Sequence, residues 1–211
     1  MLVLGSSHVQ KVPRQPLNKG RPGSRVTFFP SRKLGHPITC GNLTQADLCV
    51  HLEYSSEVDS YECRPAILQF EGSHFKADFC ITLSDGSSSY LKLLPYNVQY
   101  QEHDDECHKL KLRLRDEGIT VAWLASDDLP SPLQTSNLRC LYYYSFGANQ
   151  RLAQSLCKYV MGLKGQRATV EMLLAYGACT ADIYLAIFLG GLHVHLDQKL
   201  SPQSMVYGRP V

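Results

Sequence analysis

The run CGNLTQADLCVHLEYSSEVDSYECRPAILQF at residues 40–70, with HFKADFCITLSDG at 74–86 and YLKLLP at 90–95, decides how the chain folds. Residues 42–54 place Leu43, Ala46, Val50 and Tyr54 at helical spacing, and the Asn42 side chain can accept from the free N–H groups of a first turn. The spacing predicts a short helix there. PAILQF at 65–70, HFKADFCITL at 74–83 and SSYLKLL at 88–94 read as three extended segments. Glu71-Gly72 and Ser84-Asp85-Gly86, which separate them, are turn signals.

Outward from this block, QYQEHDDECHKLKLRLRDE at 99–117 is charged and predicts a helix that stops at Gly118. ITVAWLAS at 119–126 is almost wholly apolar, which suits a parallel strand covered on both faces. The order helix, three strands, helix, strand predicts a mixed α/β sheet with a right-handed crossover. After Tyr144 the texture changes to NQRLAQSLCKYVMG, ATVEMLLAYG and TADIYLAIFLGG, punctuated by Gly165 and Gly177. Gly190-Gly191 then leads into LHVHLD and SPQSMVY. Three short helices and a β-hairpin outline a winged-helix module, with the boundary placed near residue 146.

A chain of 211 residues can bury a real core, and 44% hydrophobic with 19% charged residues lies in the ordinary globular range. No run of about 18 apolar residues is present, and MLVLGSSHVQK lacks the pattern of a signal peptide. The expectation is an intracellular protein without a membrane partner. The eight cysteines (Cys40, Cys49, Cys63, Cys80, Cys107, Cys140, Cys157 and Cys179) form no CxxC pairs. That argues against a disulfide framework or a zinc ribbon and for reduced, mostly buried thiols.

The net charge of +2 hides an asymmetry, because the first 46 residues carry seven cations and no acid. These are Lys11, Arg14, Lys19, Arg21, Arg25, Arg32 and Lys33. From Asp47 onward the balance is 14 basic against 19 acidic residues. Pro13, Pro16, Gly20, Pro22, Gly23 and Pro30 forbid continuous helix, so residues 1–35 read as a basic, flexible arm. Such an arm suits a phosphate backbone; the plain alternative is a solvated tail.

The stretch from Cys40 to Pro95 resembles the amino-terminal pattern of TnsA-type endonuclease subunits of heteromeric transposases, especially those of CRISPR-associated transposons. The likeness runs through the helix, LEYSSEVDSYECRP, KADF and the strand YLKLLP. GITVAWLASDDL and NLRCLYYYS resemble the end of that nuclease domain, and the last 60 or so residues resemble the family's winged helix, so about residues 26–207 are covered. The resemblance implies a restriction-endonuclease-like domain over 36–146 and a winged helix over 147–211. It also implies transposon-end DNA, a DDE-type transposase and an AAA+ regulator as partners, in the nucleoid-associated cytoplasm of a prokaryote.

Family members hold magnesium on carboxylates and support the attacking water with a lysine. By this resemblance, the family's helix glutamate falls on Gln45 and an earlier glutamate on Gly41, while Asp78 retains the metal-binding aspartate. With Pro95 as anchor, Lys92 occupies the ligand position of the last strand and Leu94 the lysine position. A slip of two makes Lys92 the lysine and puts Tyr90 at the ligand position. Arg64 stands where the family has glutamine and joins the arm's cations as a DNA-binding candidate. Neither register rebuilds a magnesium site, so no cofactor is expected unless the site is active. The resulting expectation is an inactive or weakened nuclease in which Asp78 pairs with Lys92 or Arg64.

Other clusters have plainer readings. His103-Asp104-Asp105-Glu106-Cys107-His108 suits a solvated helix face, and His193 with His195 supplies only two ligands. Cys49 and His51 lie two apart on a helix and point different ways. GRPG at 20–23 lacks the strand and helix of a phosphate loop, and Asp127-Asp128 suits a turn. An enzymatic alternative takes ligands from Glu53, Glu57 or Asp59; a second alternative is a repurposed DNA-binding or inhibitory protein.

Overall fold

The computed structural model describes residues 9–15, 17, 26–70, 73–94 and 105–208, as a mixed α/β protein in two compact units, Met1–Leu129 and Pro130–Val211. Lys19, Arg21, Arg25, Pro95, the turn at 71–72, the phosphate-loop candidate at 20–23 and the start of the charged segment through Asp104 lie outside the described residues.

The first unit contains β1 (Gln10–Val12), β2 (Thr27–Pro30), β3 (Pro37–Cys40), α1 (Leu43–Tyr54), β4 (Val58–Cys63), β5 (Ile67–Phe70), β6 (Ser73–Phe75), β7 (Phe79–Leu83), β8 (Ser88–Leu93), α2 (Asp105–Asp116) and β9 (Val121–Leu124). Helix α1 starts where the sequence places it, with Asn42 accepting from Gln45 N at 2.8 Å. It lies against β2, β3 and β4, so the apolar side of a short helix is covered by strands on either side of it in sequence. The segment 74–83 divides into β6 and β7, because Lys76, Ala77 and Asp78 leave the ladder between a sheet ordered β1-β5-β6 and another ordered β4-β7-β8-β9.

Strands β8 and β9 pair in parallel, Tyr90 opposite Val121 and Leu93 opposite Leu124, with α2 in the connection. Strand β9 is an edge and half-buried, not covered on both faces. Leu68, Phe70, Phe75, Ala77 and Leu114 form one core cluster, with Tyr90 and Trp123 packed against it. Apolar residues that alternate along β5 and β6 thereby close against α2 and the β8–β9 edge.

The arm differs from the flexible segment read over 1–35. Strand β1 pairs with β5, Lys11 opposite Leu68, and β2 forms an antiparallel pair with β3. Proline-rich sequence excludes helix but not extended pairing, and Phe29, with no exposed surface, anchors β2 in the core.

The second unit begins one helix earlier than residue 146. It comprises α3 (Pro132–Tyr144), α4 (Gln150–Gly162), β10 (Arg167–Thr169), α5 (Val170–Ala175), α6 (Thr180–Phe188), β11 (Leu192–Val194) and β12 (Met205–Gly208). Helix α3 belongs here because it packs against α6, burying Leu138, Leu141 and Tyr142, with Tyr142 and Phe188 ring centroids 5.0 Å apart. The predicted hairpin is β11 with β12, and β10 adds to the far side of β12.

Buried Asn137 on α3 ties down the loop between β11 and β12. Its amide nitrogen donates to the carbonyls of Leu196 (2.9 Å) and Gln198 (2.7 Å), and its oxygen accepts from Leu200 N (3.3 Å). Three backbone groups share one side chain, so Asn137→Ala should cost about 2–3 kcal/mol. Urea unfolding should show a lower midpoint at unchanged m; an unchanged midpoint would contradict this role for the amide.

Candidate functional site

The Asp78 carboxylate collects groups from two elements of the first unit, α1 and β8. The backbone brings it there: Asp78 N donates to Leu91 O at 2.8 Å, and Asp78 O accepts from Arg64 N at 2.7 Å. The residue is thereby strapped between the ends of β4 and β8 where its own chain leaves the sheet. Its Oδ1 accepts from Gln45 Nε2 at 3.0 Å, and its Oδ2 accepts from Leu93 N at 2.9 Å. The Lys92 ammonium lies 3.3 Å from the same Oδ2. Gln45, Asp78 and Lys92 are thus brought together.

The amide of Gln45 has a fixed sense. Its oxygen accepts from Gly41 N at 2.8 Å, with the Cys63 thiol 3.9 Å away, so its NH2 faces the carboxylate. The hydrogen bond with Cys40, and after it burial, hold the Cys63 thiol above its ordinary pKa; it remains a protonated donor. Leu94 sits beyond β8, where its N–H donates to Leu124 O at 2.9 Å and extends the parallel ladder. Tyr90, the other candidate of that strand, packs edge-on against Phe75 at 6.5 Å.

Both oxygens of the carboxylate are engaged by the protein's own donors. A dication needs several hard oxygen ligands, whereas here an ammonium, an amide NH2 and a backbone N–H point at one acid. Among the described residues no three His, Cys, Asp or Glu side chains gather in a way that could hold a metal. Glu53 of α1, an alternative ligand, is buried and accepts from Tyr61 OH at 2.8 Å, Lys33 N at 3.2 Å and the Ser31 hydroxyl. Burial raises the pKa of Tyr61, which keeps its hydroxyl a donor to that acid. Glu53 therefore serves the packing of α1 against β2 and β4.

The remaining candidates spread out. Arg14 donates to Ala77 O at 2.9 Å, beside Asp78. Lys33 donates from Nζ to the carbonyls of Ser55 (2.6 Å) and Val58, and burial lowers its pKa. That ammonium is committed to the turn after α1. Lys11 is exposed on β1, and Arg32 is half-buried. Asp128 caps its own turn, accepting from Ala125 N at 2.8 Å. His193 on β11 and His195, one residue past its end, have ring centroids 5.8 Å apart. The seven described cysteines are unbridged, and most are half-buried rather than buried: Cys40 and Cys49 are enclosed, and Cys179 is exposed.

Sequence reasoning missed the part that Arg14 and the backbone of Leu93 play at Asp78; a residue 64 positions upstream gives no local signal of the contact. Compared with known proteins, the chain matches no family model and no curated protein.

Asp78→Ala removes the acceptor for three donors that water reaches poorly, since the Asp78 side chain is 16% exposed. The loss should be about 2–3 kcal/mol, most of it from the two N–H groups rather than the partly exposed ion pair. Lys92→Met should cost under about 1 kcal/mol by the same measurement. If Lys92→Met proves the more damaging of the two, the carboxylate is not the organising group.

Proposed function

We propose that this protein is a TnsA-like component of a DNA transposition complex, with a restriction-endonuclease-like first unit whose cutting site is silent and a winged-helix second unit. It engages transposon-end DNA and docks a DDE-type transposase and an AAA+ regulator, in the nucleoid-associated cytoplasm of a prokaryote. The observation that carries the reading is the convergence of Gln45, Asp78 and Lys92 on one carboxylate. These are positions at which the resemblance implies metal ligands and a supporting lysine, and they lie on α1, after β6 and on β8. After α3, the second unit's order of helix, strand, two helices and hairpin, with β10 paired to β12, supports the second half of the reading.

The mechanism that follows is retention without cutting. An amide at Gln45 donates to Asp78, where a glutamate would repel it unless a dication lay between them. Lys92 neutralises the acid in place of that dication. No helix among the described residues is long and apolar enough to cross a membrane.

The test is a nicking assay on supercoiled plasmid with magnesium or manganese. The natural chain should leave the plasmid intact. Gln45→Glu with Lys92→Glu and Leu94→Lys, which restores a carboxylate pair and a lysine, should introduce slow, metal-dependent nicking that Asp78→Ala abolishes. Nicking by the natural chain that depends on Asp78 would overturn the silent site.

A further inference from the structure

Arg14 and Arg64 carry more positive charge than their surroundings use. Lys92 pairs with the Asp78 carboxylate, the Arg14 guanidinium lies near that same acid, and the Arg64 charge lies near Arg14. Burial lowers the pKa of the Arg14 guanidinium, the Arg64 charge lowers it further, and the Asp78 carboxylate acts in the opposite sense. Arg14 nevertheless remains a cation at neutral pH. Two like charges are thus near each other, and neither has an ion pair with an acid of its own among the described residues.

Arg14 also has an unused donor. Its terminal nitrogen donates to Ala77 O, while its Nε is buried with no hydrogen-bond partner. Buried donors are rarely left unpaired unless a ligand or water completes them. Arg64 adds strain, because its φ of 57° puts a side-chain-bearing residue in the left-handed region immediately before Pro65. The hydrogen bond from Arg64 N to Asp78 O holds it there. A strained cation fixed in position is arranged for something other than packing.

Both arginines line an open groove of about 580 Å³ between the β2–β3 hairpin and the end of β4. Phe28 stands on its wall, 68% exposed, while its neighbour Phe29 is in the core. His36 adds a third basic side chain, and Glu62 is the one acid among the described lining residues. An exposed aromatic ring beside paired guanidiniums is the combination that stacks an unpaired base and holds its phosphate.

We infer that this groove binds single-stranded nucleic acid, with Arg14 and Arg64 clamping a phosphodiester and Phe28 stacking the adjoining base. The inference deepens the DNA-binding part of the proposed function and rests on it, but it needs neither cutting nor a transposase. A duplex end that opens by a base or two would present such a strand.

The test is fluorescence anisotropy of the full chain with a labelled oligothymidine of ten nucleotides and a duplex of equal length, over a range of salt. Arg64→Asn keeps a residue that tolerates the left-handed backbone; Phe28→Ala changes an exposed side chain; Arg14→Gln is checked by thermal melting. Each should weaken single-strand binding about tenfold, and each arginine variant should reduce the salt slope by about 0.7. Binding of the single strand that none of the three changes would overturn the clamp while leaving DNA binding intact. Tight duplex binding with no single-strand binding would overturn it too. No binding to either DNA would overturn both the clamp and the DNA-binding reading on which it rests.

Discussion

One carboxylate organises the first unit. Asp78 lies where the chain passes from one small sheet to another, so neither ladder satisfies its surroundings. Its main chain bonds to Arg64 and Leu91. Its side chain reaches Gln45 on α1 and both Lys92 and Leu93 on β8. Helix, turn and strand are thus registered on a single charge. Both oxygens of this acid accept from the protein's own donors, so the carboxylate takes part in holding the fold.

The surrounding charges follow from that use. With Lys92 drawn to Asp78, Arg14 and Arg64 are left as neighbours facing a groove, and the strained backbone at Arg64 keeps them there. A pocket suited to a hydrated dication and a groove suited to a phosphate differ in which side supplies the cation. When the protein itself carries the positive charge, the complementary ligand is the anion.

Local patterns were legible in the sequence, and distant ones were not. Asn42 and the helical spacing after it give α1, and the parallel pairing of β8 with β9 follows from a helix between two apolar runs. Strand β4 escaped because VDSYEC alternates with acids and lacks a flanking glycine. Strands β1 to β3 escaped because a basic, proline-rich stretch reads as linker when its partners lie elsewhere in the chain. Helix α3 was hidden under the reading of its last residues as part of the first unit, although a local signal existed: Ser131 and Gln134 form a capping box, with Pro132 in the first position. At the site, Gln45, Asp78 and Lys92 were singled out by the resemblance to TnsA-type subunits, carried over residue by residue, and not by spacing alone. The direction of the Gln45 amide and the approach of Arg14 are consequences of tertiary packing that no local spacing encodes.

The account stands on the claim that Asp78 is occupied by protein donors and holds no dication. Titration of the full chain with manganese, read by electron paramagnetic resonance of the free ion, tests this most directly. The account predicts that at millimolar manganese the natural chain and Asp78→Ala deplete the free signal equally. Stoichiometric depletion by the natural chain that Asp78→Ala abolishes would contradict it.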